Sequence, residues 1–293
     1  MNKVYLDLQV YEYISNNENI LKKIEESKSR NLFYYSVAHV EEVYKSYSGE
    51  TEEKRGITNK LRNCIINISE NGILNPSDSC IIFKRETFDE CYMRTVKYDT
   101  LETVKERSEY KQDSDKNGYD ARNLFEGMTQ NSETIYKDVW ETKRVKEELK
   151  KANENNAKQI QMELAFENNH LLKTLEKHYG KENVLKIKQG LISNAQTKLI
   201  PDTFIILKNS FGQLEYVIEQ LFFILSKCGF RREKGNKKAN SGTYDIEHAI
   251  YGTFCDSFIT DDSKFADKYK AVCYYLGVPT KIIMWDNFIN ENY

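Results

Sequence analysis

The stretch Ser257–Trp285, SFITDDSKFADKYKAVCYYLGVPTKIIMW, carries the pattern that decides the fold. Ser257-Phe258-Ile259-Thr260 is a short β-prone run that ends on the acidic pair Asp261-Asp262. Phe265, Tyr269, Val272 and Leu276 then recur at i, i+4, i+7 and i+11, which draws one apolar stripe along a helix closed by Gly277. Pro279 follows, and Thr280-Lys281-Ile282-Ile283-Met284-Trp285 is a second β-prone run. Strand, helix, strand with short links is a βαβ unit, and its crossover forces the two strands to run parallel.

The same grammar holds outward from this segment. Just upstream, Asp245 is expected to open a helix reaching about Cys255, with Ile246, Ala249, Ile250 and Gly252 on its packing side. At the other terminus Lys3-Val4-Tyr5-Leu6 reads as a strand ending on Asp7, followed by one helix from about Val10 to Lys23. Leu32-Phe33-Tyr34-Tyr35 is the next apolar run. Ser36 suits the N-cap of a helix whose inner face carries Val37, Val40, Val43 and Tyr44. The two ends therefore predict an α/β fold with a mostly parallel sheet. Residues 51–235 read as charged helical stretches, with Cys80-Ile81-Ile82-Phe83 as their only β-like run. The expected organisation is a core from residues 1–50 and 236–293, interrupted by a mainly α-helical insertion over 51–235.

Composition limits the function classes. Lys plus Arg (43) nearly balances Asp plus Glu (45), and a net charge of −2 excludes a polybasic protein that would bind nucleic acid over its whole surface. A local basic patch stays open. Apolar content of 40% sustains a core and excludes wholesale disorder. The six cysteines contain no Cys-x-x-Cys pair, so a zinc knuckle or disulfide scaffold is not expected, and buried free thiols in a reducing cytoplasm are. MNKVYLDLQV has Asp7 where a signal peptide would need an apolar core, and no apolar run approaches membrane length. A soluble cytoplasmic protein without membrane contact is expected.

Four acids stand at chemically telling places: Asp7 after the first strand, Glu42 in the helix after Ser36, Asp245 at the start of the helix that reaches about Cys255 and Asp262 after the strand at 257–260. In an open parallel sheet, ligands bind beyond the carboxyl ends of the strands. Carboxylates converging there repel one another unless a hard cation such as Mg²⁺ or Mn²⁺ sits among them. Such an ion activates water and stabilises a leaving oxygen, the machinery of phosphodiester cleavage.

In order and context these segments resemble the PIN-domain family of metal-dependent nucleases. Val4-Tyr5-Leu6-Asp7 is similar to its opening strand and first acid, and Ser36-Val37-Ala38-His39-Val40-Glu41-Glu42 to its second motif, which selects Glu42. Asp245-Ile246-Glu247-His248-Ala249 is similar to the third motif, and Thr260-Asp261-Asp262 to the fourth, which selects Asp262. Gln9 stands where many members carry Asn, and the stretch between the second and third motifs is far longer than in compact members. The resemblance implies a three-layer α/β/α core and catalytic, metal-binding Asp7, Glu42, Asp245 and Asp262 holding one or two Mg²⁺ or Mn²⁺ ions. It also implies a nuclease that takes RNA over DNA, of the kind found among toxins and phage-defence effectors. An inactive PIN-like scaffold that binds nucleic acid or protein is the alternative.

Around the acids, Ser36, His248, Thr260 and Asp261 are expected to support the site. His39 shares a helix face with Glu42, and His248 with Asp245. The run Lys227–Lys238 holds six basic residues in twelve, and Arg231, Arg232, Lys237 and Lys238 are its candidates for phosphate contact. Asp113–Gly118 mimics the start of a calcium loop but lacks the bidentate acid at its twelfth position, Leu124. The 51–235 insertion is expected to serve self-association or control by a protein partner. No Walker loop, nucleophile elbow or His-Glu-x-x-His motif is present.

Overall fold

The computed structural model describes residues 1–47, 51–77, 80–95, 125, 128, 134–165, 176–177, 180–185, 189, 196–231 and 241–290. Strands β1 (Asn2–Leu6), β2 (Asn31–Ser36), β3 (Gly72–Pro76), β4 (Ile81–Arg85), β5 (Ser257–Thr260) and β6 (Lys281–Met284) form one sheet in the order β4-β3-β2-β1-β5-β6. All neighbours pair parallel except β3 and β4. The fold is thus α/β with a mostly parallel sheet, compatible with a three-layer α/β/α arrangement. Val4, Tyr5 and Leu6 of the central strand are all fully buried, so both sheet faces are covered there.

Between β1 and β2 stand two helices, α1 (Leu8–Ser15) and α2 (Glu18–Ser27), where the sequence suggests one. Asn17 makes the break: its side chain accepts from the backbone N–H groups of Asn19 and Ile20 and starts a new helix. Helices α3 (Val37–Tyr47) and α4 (Glu52–Ser69) follow β2, and α5 (Phe88–Arg94) follows β4. Farther on come α6 (Thr134–Glu141), α7 (Lys143–Ala165), α8 (Phe204–Leu207), α9 (Phe211–Lys227) and α10 (Ser241–Gly252). Helix α11 (Ser263–Leu276) joins β5 to β6 and ends on Gly277 at φ 72°, and α12 (Trp285–Asn290) closes the described chain.

The structure departs from the sequence reading at three further places. Strand β3 is absent from that reading because GILNP offers only two apolar residues; pairing on both sides and full burial of Ile73 and Leu74 hold it extended. The sheet therefore draws two strands from within residues 51–235. Trp285 begins a helix and shortens β6 to Met284. Asp245 does not open its helix: α10 starts at Ser241, which moves Asp245 into the second turn.

The helices of the central segment pack on the same core as the ends. Trp140 of α6 donates its indole N–H to the Ala271 carbonyl of α11 at 2.8 Å, and Phe222 of α9 stacks on Phe265 with centroids 5.9 Å apart. The six cysteines are free, all but Cys80 buried. Among the described residues, no helix is long and apolar enough to cross a membrane.

Gly252 shows how tightly the seam between α10 and β5 is closed. A Cβ there would run into the Phe258 ring and come within 2.9 Å of the Tyr269 hydroxyl. Gly252→Ala is expected to lower stability by roughly 1–3 kcal/mol, the usual cost of overpacking a filled core, read as a lower midpoint in urea unfolding.

Candidate active site

The acidic site begins where β1 ends. Leu6 pairs with Ile259 of parallel β5, so the two strand ends lie side by side, and the Asp7 N–H extends the ladder by donating to the Ile259 carbonyl at 2.9 Å. Asp7 is 8% exposed. Thr260 donates its hydroxyl proton to Asp7 Oδ2 at 2.7 Å and accepts the Asp262 N–H at 3.2 Å, tying the two acidic turns together.

Two buried histidines fix the scaffold behind Asp7. His39 Nε2 stands 2.8 Å from the Leu6 carbonyl. A carbonyl only accepts, so Nε2 carries the proton and Nδ1 is the acceptor, which takes the Ser36 N–H at 3.1 Å. That second bond satisfies an orphan donor at the start of α3, in the manner of a capping box. His39 is therefore neutral; burial first, then the neighbouring His248, holds its pKa far below the ordinary histidine value. His248 does different work. Its Nδ1 hydrogen-bonds the Tyr5 hydroxyl at 2.8 Å and its Nε2 donates to Glu42 Oε2 at 2.9 Å. The Tyr5 hydroxyl also bonds Ser36 Oγ at 2.6 Å. A continuous chain Ser36–Tyr5–His248–Glu42 thus links β2, β1, α10 and α3, and it sets the position of the Glu42 carboxylate.

The acids act on one another. Burial raises the Asp7 pKa above its ordinary value; His248 works against this, and the Glu42 charge adds to it. Asp245 is pushed up well above the usual range by burial, then by the charges of Asp7 and Glu42, with Lys268 opposing and Asp262 adding to the rise. For His248, burial disfavours the charged ring, but the Glu42 hydrogen bond and the charges of Glu42, Asp7 and Asp245 outweigh it and raise the pKa. Asp7, Glu42 and Asp245 therefore share one electrostatic site, with Asp262 at its margin.

Asp262 has a second duty. Its Oδ1 accepts from the Lys264 and Phe265 N–H groups at 2.8 and 2.9 Å, capping α11. Asp261 turns elsewhere, accepting from the Tyr13 hydroxyl at 2.8 Å, while Gln9 donates to that hydroxyl at 2.7 Å. Glu12 belongs with the acids and is not among the sequence candidates: burial, then the charges of Glu42 and Asp7, raise its pKa. The signal for it was faint, a carboxylate in the second turn of the helix that Asp7 precedes.

The donor chemistry suits a hard divalent cation, since carboxylate oxygens are concentrated against few positive groups. Among the described residues, however, no group of three or more Asp, Glu, His or Cys side chains stands close enough to hold a metal ion as placed. Of the basic run, Arg231 is ion-paired with Asp267 at 2.7 Å and Lys227 with Glu148 at 2.6 Å. Phe230 is buried against Phe125. Arg232, Lys237, Lys238 and the Asp113–Gly118 stretch lie outside the described residues. In comparisons with known proteins the chain matches no family model, no curated protein and no solved structure.

The raised carboxylates set a pH dependence. An aspartate whose folded pKa is raised adds stability fully present below its unfolded pKa of about 4, lost as pH climbs through the folded value. His248 adds stability below about pH 6.5 that is lost in the same direction. In chelator, the melting temperature is expected to fall as pH rises above about 6.5, where the neutral His39 and the depressed carboxyls of Glu86 and Glu148, whose linkage runs the other way, no longer change charge. Asp245→Asn should flatten that decline and raise Tm at pH 7 by roughly 2–4 °C, about 1 kcal/mol for a chain of this size. A wild-type profile that is flat or rises over this range counts against the clustering.

Proposed function

We propose that this chain is a PIN-like, metal-dependent nuclease that hydrolyses phosphodiester bonds, RNA in preference to DNA. The observation that supports the reading is the convergence of Asp7, Glu42 and Asp245 beyond the carboxyl end of β1, where the Glu42 charge raises the pKa of Asp7 and the charges of Asp7 and Glu42 raise that of Asp245. Asp7, Glu42 and Asp245 would hold Mg²⁺ or Mn²⁺, with Asp262 alongside. The ion's chemistry is to lower the pKa of bound water and to neutralise the phosphate. The chain's own residues do the rest: Thr260 fixes Asp7, the Tyr5–His248 pair fixes Glu42, and His39 grips the carbonyl of Leu6, just before Asp7.

A second reading, a PIN-like scaffold that binds without cutting, has a specific observation in its favour: as placed, the described acids do not form a coordination group, and Gln9 is turned toward Tyr13. Mn²⁺ titration by calorimetry with a single-stranded RNA cleavage assay separates the two. For the nuclease, Mn²⁺ binds and raises Tm, Asp7→Asn and Asp245→Asn abolish both binding and cleavage, and His248→Gln weakens Mn²⁺ about 10–100-fold, as loss of an orienting partner does. Absence of Mn²⁺ binding would sink the nuclease reading. Self-association or control through the central segment, as in toxin or phage-defence effectors, belongs to the same proposal; a strict monomer by mass measurement in solution counts against the self-association part.

A further inference from the structure

A cleft of about 370 Å³ opens at the other end of the sheet from the acids, where β2 and β3 begin and the antiparallel β4 ends. One strand length, roughly 15 Å, separates it from Asp7. Its chemistry is the reverse of the acidic site. Tyr34 and Phe83 meet edge to face across it with centroids 4.9 Å apart. Phe83 is 36% exposed, and the Lys3 ammonium lies 4.0 Å from its ring centre.

Two residues on from Phe83, and so on the same face of β4, Arg85 lines the cleft, exposed and without an ion pair among the described residues. The two lysines of the lining are engaged. Lys28 donates to the Asn67 carbonyl at 2.6 Å and pairs with Glu70 at 3.3 Å, and Lys84 pairs with Glu86 at 3.1 Å.

These groups ask for one kind of ligand. The partly exposed Phe83, with the half-buried Tyr34 beside it, favours a flat ring, and Arg85 an oxyanion. A purely apolar ligand would leave the guanidinium unmet, and a metal cation would be repelled. A cleft of this volume takes about one nucleotide.

We propose that this cleft binds a nucleoside phosphate, either a free mononucleotide or one unit of an RNA strand, at a site separate from the acids. The ring stacks on the open part of Phe83 with its edge toward Tyr34, and the phosphate meets Arg85.

The test is calorimetric titration of the full chain in chelator with adenosine 5′-monophosphate, guanosine 5′-monophosphate and a ten-nucleotide single-stranded RNA. Saturable binding is expected, weakened about tenfold or more by Phe83→Ala and by Arg85→Ala, the range of one stacked base or one charged contact. Both side chains are at the surface, so the variants should keep wild-type circular dichroism. Mononucleotide binding that RNA does not displace identifies the free ligand; RNA binding displaced by mononucleotide identifies the strand. Failure of all three probes to bind, or equal affinity in both variants, overturns the proposal. Asp7→Asn is expected to leave this binding unchanged, so loss of cleavage in that variant and loss of binding here are separate results.

Discussion

The hydroxyl of Tyr5 is the point on which the site's geometry depends. It sits on the buried half of the central strand, where a polar atom without partners would cost about 1–3 kcal/mol. Its partners come from three other elements, Ser36 at the end of β2, His39 on α3 and His248 on α10. Satisfying one buried oxygen therefore fixes a strand and a helix that are far apart in the chain. His248 passes that constraint on to Glu42, and through it to α3. His39 does the parallel task for the backbone, holding the Leu6 carbonyl so that the chain leaves β1 in the one direction that presents Asp7.

Against this well-satisfied frame stands a site that is not satisfied. Burial at the strand ends removes Asp7 from water and the half-buried Asp245 stands beside it on α10, and both are pushed toward the protonated form by burial and by neighbouring carboxylates. His248 and Lys268 offset only part of this. Local choices in natural folds mostly agree with the global one, and places where they conflict tend to be functional. Here the conflict is a concentration of carboxyl groups held in place by hydrogen bonds, an arrangement that binding a cation would relieve.

The pattern at the chain ends was legible because strand, helix and strand each carry their own periodicity. The apolar stripe from Phe265 to Leu276 and the run Ser257–Thr260 needed no tertiary information. The grouping of Asp7 with Glu42 and Asp245 was legible only in outline: order and spacing put Asp7 and Asp262 just past their strands and Glu42 on its helix, but set Asp245 at a helix start rather than in the second turn, and showed none of their partners. That Thr260 serves Asp7, that Asp262 spends Oδ1 on a helix cap and that Glu12 belongs with the cluster all depend on directions that side chains take after packing. Strand β3 escaped notice for a related reason. A five-residue strand with two apolar side chains has no signature of its own, and exists because β2 and β4 offer it hydrogen bonds.

The sequence by itself determined the alternation of strands and helices at the two ends, hence the parallel sheet, and the placing of acids just past its strands. These follow from local hydrophobic period and from the rule that a βαβ connection runs parallel. Only the tertiary structure decided how far the sheet extends, that helices from the central segment close over the same core, and which carboxylates feel one another. Those depend on contacts between residues tens to hundreds of positions apart, such as Tyr5 with His248 and Trp140 with Ala271, which no local pattern encodes.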